Sequence, residues 1–139
     1  MTPSYNYWCN GAERREVCER EQFRASCPTA GEVLLVTHAQ FGRMREGRCV
    51  TSAYGVMGCS ADVRPLLDRA CSGRATCELN VGSLVPERDQ PCPTDFRGYL
   101  EVSWHCVKGG PLLTLLYLRQ GWADTHAIIA LCFTLICCL

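Results

Sequence analysis

Apolar and polar positions alternate most regularly near the end of the cysteine-bearing region. Leu100, Val102, Trp104 and Cys106 fall on one side of a period-2 ladder, and Tyr99, Glu101, Ser103 and His105 fall on the other. This predicts a strand with one buried face. "EVLLVTHAQF" (Glu32 to Phe41) is β-branched and at first apolar on both faces, the pattern of a well-covered strand. "DVRPLLDRACSG" (Asp62 to Gly73) changes period: Val63, Leu66, Leu67 and Ala70 recur at helical spacing. Ser60 or Asp62 is placed to cap that helix, Pro65 sits in its first turn where a missing N–H costs nothing, and Gly73 stops it. "CELNV" (Cys77 to Val81) reads as another strand. Strands flanking a helix within about 90 residues predict a small α+β or β-sandwich-like domain.

Composition divides the chain into three zones. Residues 1–17 are a polar, charged extension with an aromatic cluster at Tyr5, Tyr7 and Trp8, residues 18–107 hold eight cysteines, and residues 108–139 open on "KGGP" and turn apolar. The 14 basic and 14 acidic side chains cancel, which gives no electrostatic footprint for a nucleic-acid partner. The 12 cysteines in 139 residues are the outlying feature. Nine lie at or before Cys106, none in the C-x-x-C spacing of a zinc knuckle or redox centre, so a disulfide framework is the better reading than a metal site.

A disulfide framework implies an oxidising, extracellular compartment, whether the protein is secreted or on the cell surface. "MTPSYNYWCNG" (Met1 to Gly11) has neither a basic start nor an apolar core, so the expectation is that the true N-terminus lies upstream. There is no N-x-S/T sequon. "AIIALCFTLICCL" (Ala127 to Leu139) is apolar over 13 residues, whereas a spanning helix needs about 20, and upstream extension meets His126, Asp124 and Arg119. A lipid-anchor signal with small residues at Gly121 and Ala123 lacks its polar spacer, which leaves a poorly structured C-terminus as the main expectation.

Catalysis finds little purchase. His38 and His105 lie on strands far apart in sequence with no Cys, Ser or Asp word nearby that suggests catalysis, and "GSL" at Gly82 lacks the glycine that a nucleophile elbow requires two residues after its serine. No phosphate-cradling glycine loop or metal spacing is present, and the expectation is a binding module without cofactor or metal.

Four words, in order and with the cysteines between them, carry a resemblance: "VCE" (Val17 to Glu19), "FGR" (Phe41 to Arg43), "CSGRATCELNV" (Cys71 to Val81) and "PCP…YLEVSWHC" ending at Cys106. They resemble the sea-urchin-egg-lectin (SUEL) type domain, the galactose- or rhamnose-binding lectin domain also found in latrophilins and Eva-1 receptors. The resemblance covers about two-thirds of the chain. It implies a compact antiparallel β-sandwich of about five strands with two short helices. It also implies the pairs Cys18–Cys49, Cys27–Cys106, Cys59–Cys92 and Cys71–Cys77, with Cys9 left over. The residues alone do not choose this pairing, since eight cysteines permit 105 connectivities.

In relatives that bind sugar, the resemblance implies a glutamate after the first cysteine, the tyrosine of a Y-G-R word, and an aspartate-proline-cysteine loop leading to a G-T-x-K-Y-L word. Glu19 stands at the glutamate position, and Gly42 and Arg43 are kept while the tyrosine has become Phe41. The aspartate before Pro91 has become Gln90, with Asp89 adjacent. "TDFRGY" replaces the lysine word with one residue more, bringing Asp95 and Arg97. The carbohydrate-binding set implied is therefore Glu19, Phe41, Asp89, Gln90, Asp95 and Arg97, with Arg43 structural beneath the loop. Two functions stay open: a calcium-independent lectin module for galactose- or rhamnose-like glycans, and a protein-binding adhesion or receptor module with a degenerate sugar site. Membrane association would come through the parent protein or the tail.

Overall fold

The computed structural model describes residues 12–51 and 55–109. The readings for residues 1–11 and for the tail from residue 110 lie outside the described residues. Six strands are present: β1 (Glu13–Cys18), β2 (Gln22–Ser26), β3 (Glu32–Gly42), β4 (Ser60–Asp62), β5 (Thr76–Asn80) and β6 (Tyr99–Lys108). One α-helix, α1 (Arg64–Cys71), lies between β4 and β5. The four-stranded sheet runs β1-β6-β3-β4, all antiparallel, and β2 pairs with β5 in a separate ribbon. This is a small disulfide-rich α+β domain. The resemblance implies about five strands and two helices; among the described residues there are six strands and one α-helix, with 3₁₀ turns at Val81–Ser83 and Glu87–Asp89.

β3 and β6 form the backbone of the sheet, in register from Glu32↔Lys108 to Gly42↔Tyr99. A register shift falls between Val36 and His38. It explains the apolar pattern of β3: Leu34 and Val36 point into the core before Thr37, and Ala39 and Phe41 after it, a change of parity that one extra residue supplies. Opposite them Leu100, Val102 and Trp104 face the same core. The ribbon contributes Phe23, whose ring meets Trp104 edge-on at a centroid distance of 5.4 Å. α1 adds Leu67 and Cys71.

The helix differs in detail from its prediction. Val63 takes the N-cap position with no side-chain cap, while Asp62 Oδ1 accepts the Arg64 N–H at 2.9 Å. Gly73 ends it in the left-handed region (φ 84°) and donates its N–H to Leu34 O, which ties the helix end to β3. β1 begins at Glu13, within the stretch read as an N-terminal extension, and pairs with β6 along its whole length.

The larger correction concerns β6. Tyr99 and Glu101, on the side expected to face water, are buried, as is His105. Burial pushes the His105 pKa down and the Tyr99 phenol up. β6 lies between β1 and β3, and arginines close over its polar face. The Glu101 carboxylate is 5% exposed and ion-paired to Arg14, to Arg45 Nη2 at 2.7 Å, and faces His38 Nε2 at 3.7 Å. Tyr99 Oη accepts the Arg45 N–H at 3.2 Å. Glu101 lies directly opposite Glu16 on β1, a like-charge pair that the surrounding arginines offset. Next to it Arg48 forks onto both Glu21 carboxylate oxygens at 2.7 and 2.8 Å and donates to Glu16 O at 2.6 Å.

Four disulfides close the domain, and they are the four pairs that the resemblance implies: Cys18–Cys49, Cys27–Cys106, Cys59–Cys92 and Cys71–Cys77. A core of this size is modest, so these cross-links contribute much of the net stability. Their sequence separations differ widely, 79 residues for Cys27–Cys106 against 6 for Cys71–Cys77. Chain-entropy reasoning then predicts that replacing both cysteines of the first pair costs about 4–5 kcal/mol and of the second about 2 kcal/mol. Urea unfolding of the two double alanine variants tests the order.

The arginine forks predict an acid limb. The hydrogen bond from Arg48, and next the Cys18 N–H, hold Glu21 at about 2, well below its ordinary 4.5. Folding lowers this pKa, so the stabilisation is complete above about pH 4.5 and is lost as pH falls towards 2. Urea midpoints should drop across that window. Glu21→Gln should flatten the drop, and an unaltered slope in that variant would contradict the assignment.

Candidate functional site

The β3–β6 ladder ends at Gly42↔Tyr99, so the residues just beyond it, Arg43 and Gly98, are brought side by side. The approach is close. A Cβ at Gly98 would stand 3.0 Å from Gly42 O, and one at Gly42 (φ +153°) would stand 2.1 Å from Cys59 O. Glycine at position 98 lets the loop 93–98 settle against the end of β3, and glycine at position 42 lets Cys59 and Ser60 close in from the other side.

Arg43 is only 7% exposed and fastens three segments. Its Nε donates to Val56 O at 2.9 Å, its Nη1 donates to Arg97 O at 2.9 Å, and its guanidinium lies 5.2 Å from the centroid of the Phe96 ring. Its backbone N–H donates to Cys59 O, and its carbonyl accepts the Gly58 N–H. The Cys59–Cys92 bond fixes the start of the same loop. A buried guanidinium that satisfies backbone carbonyls from two loops is a structural device, and it works from beneath the surface.

Glu19, in the turn between β1 and β2, reaches the same loop from the other side. Its Oε2 accepts the Gly98 N–H at 3.2 Å. The peptide unit joining Arg97 to Gly98 is therefore held at both poles, its C=O by Arg43 and its N–H by Glu19. Around it, Thr94, Asp95 and the Arg97 side chain are exposed, and so is Val56 at 43%.

The other members of the implied set fall elsewhere. Phe41 is 2% exposed and packs in the core across from Leu100, because the parity set by the shift at Thr37 turns it inward. It offers no surface to a ligand, which corrects its placement in the binding set. The Gln90 side-chain amide donates to Val85 O at 2.7 Å and so braces its own loop. Asp89 lies in a 3₁₀ turn with Arg88 Nε 3.6 Å from its carboxylate. The structure thus brings Glu19, Asp95 and Arg97 to one loop surface, over Arg43. Val56 is the neighbour that the sequence did not single out; no motif marks it, since it reaches the site only through its carbonyl bond to Arg43.

A separate concavity of about 560 Å³ lies between β1, β2 and β5, lined by Glu13, Arg15, Arg24, Glu78 and Trp104 among others. Its walls are largely paired to one another: Arg15 covers the Trp104 ring at 5.3 Å and donates to Arg24 O, and Arg24 pairs with Glu78 at 3.2 Å. Among the described residues no three His, Cys, Asp or Glu side chains converge as a metal ion would need. No described helix is long and apolar enough to cross a membrane.

Residues 25–106 match the D-galactoside/L-rhamnose binding SUEL lectin domain, and the chain belongs to that family. It is 26% identical over 98 residues to the L-rhamnose-binding lectin ELEL-1 of Echinometra lucunter, covering 69% of this chain and 92% of that protein. It is 37% identical over 87 residues to Beta-galactosidase 11 of Oryza sativa subsp. japonica, covering 62% of this chain but 10% of that enzyme.

The clamp is testable through stability. Arg43→Met keeps the apolar stem and leaves the Val56 and Arg97 carbonyls unpaired, at a cost of roughly 2–4 kcal/mol. Amide exchange should quicken selectively at Gly58 and Gly98. Exchange that quickens evenly through the core instead would mean that Arg43 does not act on the loops.

Proposed function

We propose that this chain is an extracellular, calcium-independent carbohydrate-binding module for galactose- or rhamnose-like glycans, whose binding surface is the loop 93–98 with Glu19. Family membership supports the ligand class, as do the relatives' names: one is an L-rhamnose-binding lectin and one a β-galactosidase, each tied to a sugar. The observation that carries the reading is the double hold on the Arg97–Gly98 peptide. A shallow sugar site needs its few polar groups already in place, because ordering a loop on binding consumes the small free energy available. Glu19 uses one carboxylate oxygen on Gly98 and keeps the other to accept from vicinal hydroxyls. Val56 supplies apolar cover for a sugar's C–H face. The eight paired cysteines support an oxidising, extracellular setting for a secreted or surface protein. Single-site affinity is low in this reading, and avidity arises from several modules in a larger parent, which is itself an enzyme in one relative.

The inward turn of Phe41 and the internal use of Gln90 favour a second reading, a protein-binding adhesion or receptor module on the same scaffold. Paired substitutions at Glu19 separate the two. On a glycan array Glu19→Gln, which can still accept the Gly98 N–H, should weaken galactose and rhamnose binding several-fold. Glu19→Ala, which also frees the loop, should abolish it. Binding that is absent in the folded parent chain, or indifferent to both changes, would favour the protein-binding reading.

A further inference from the structure

We infer that Arg97 makes this site select saccharides that carry a carboxylate, with a hexuronate of the galactose hydroxyl pattern as the chemical class it fits. The inference rests on the carbohydrate reading above and adds the charge of the ligand to it.

The geometry begins with the backbone of Arg97. Its carbonyl is held by Arg43 Nη1 at 2.9 Å, and the N–H that follows is held by Glu19 Oε2 at 3.2 Å, so the stem of this side chain starts from a fixed point. The guanidinium itself is exposed and makes no ion pair or side-chain hydrogen bond with the described residues, although Asp95 lies two positions away. Five other arginines of the domain are committed to ion pairs. Arg14 and Arg45 pair with Glu101, Arg24 with Glu78, Arg48 with Glu21 and Arg88 with Asp89. Arg97 is thus a cation with an anchored backbone and no side-chain partner among the described residues, on the loop proposed above as the ligand surface.

The chemistry narrows the ligand. A guanidinium has only donors, in a planar fork that matches a carboxylate through two parallel bonds, and it has no acceptor for a hydroxyl proton. Glu19, bonded through Oε2 to the Gly98 N–H that follows Arg97, leaves Oε1 as an acceptor at the same loop. A neutral hexose can use the acceptor, whereas an acidic hexose uses both groups. Glu19 and Asp95 repel an acidic ligand, and Arg97 is the exposed cation on the loop that offsets them above the buried Arg43.

The matched probes are methyl galactoside and the methyl glycoside of galacturonic acid, which differ only at C6. Titrated into the full chain, the acid should bind roughly three- to tenfold more tightly at low salt, and the advantage should shrink at about 0.5 M salt. Arg97→Gln should bring the ratio of the two affinities to one or below, and Arg97→Lys should keep part of it. Thermal melts establish that both variants are folded. Equal binding of the two glycosides by the parent chain, or a ratio unmoved by Arg97→Gln, overturns the inference and leaves the carbohydrate reading standing. If the folded parent chain binds neither glycoside, the carbohydrate reading falls and takes this inference with it.

Discussion

The antiparallel pairing of β3 with β6 is the constraint from which most of this domain follows. It runs from Glu32↔Lys108 to Gly42↔Tyr99, and the register shift at Thr37 decides which side chains of β3 enter the core. With Leu34, Val36, Ala39 and Phe41 turned inward, the ladder presents one apolar face to Phe23, Leu67 and Cys71 from the ribbon and helix. Its opposite face takes Glu101 under Arg14 and Arg45. The ladder also has an end, and what lies past it is the candidate site. Two chain segments far apart in sequence leave the sheet together there, and Arg43 and Gly98 meet because the register allows no other neighbours.

The site reads as a backbone device more than a side-chain one. Arg43 works on carbonyls, Glu19 on an amide, and the Cys59–Cys92 bond on the loop's origin. Such a scaffold tolerates change in the exposed side chains it carries, since the loop's shape does not depend on them. This reconciles family membership with the altered words in the loop: Gln90 and the longer "TDFRGY" sit on supports that are all present. It also explains why the loss of the tyrosine hydroxyl at Phe41 carries little structural consequence, because the ring lies in the core.

Much of the fold was legible in the sequence where one physical signal dominated. β3, β5, β6 and the helix announced themselves by period, and Gly73 by its place at the helix end. β1, "ERREVC", gave no apolar rhythm, because its charged residues lie along the sheet edge, where Arg14 pairs with Glu101 and Arg15 covers Trp104, and its pairing with β6 holds it in place. β2 offered only Phe23 and Ala25 as inward positions, too short a run to register. The burial of Glu101 and His105 was misread for a related reason. Polar residues are taken to face water, and the arginines that pair with Glu101 come from β1 and from the loop after β3. The disulfide pairing came from family resemblance alone. Within the candidate site, Glu19 and Arg97 were singled out by position in family words, but the bond from Gly98 to Glu19 spans 79 residues and leaves no trace in local sequence.

In the proposed reading, ligand meets the chain at the braced end of the β3–β6 ladder. Amide chemical-shift mapping of the ¹⁵N-labelled chain during titration with methyl galactoside tests it most directly. The account predicts that the largest shifts cluster at Glu19, Val56, Asp95, Arg97 and Gly98. Shifts concentrated at Arg15, Arg24 and Trp104 instead would place the ligand in the groove between β1, β2 and β5 and contradict it.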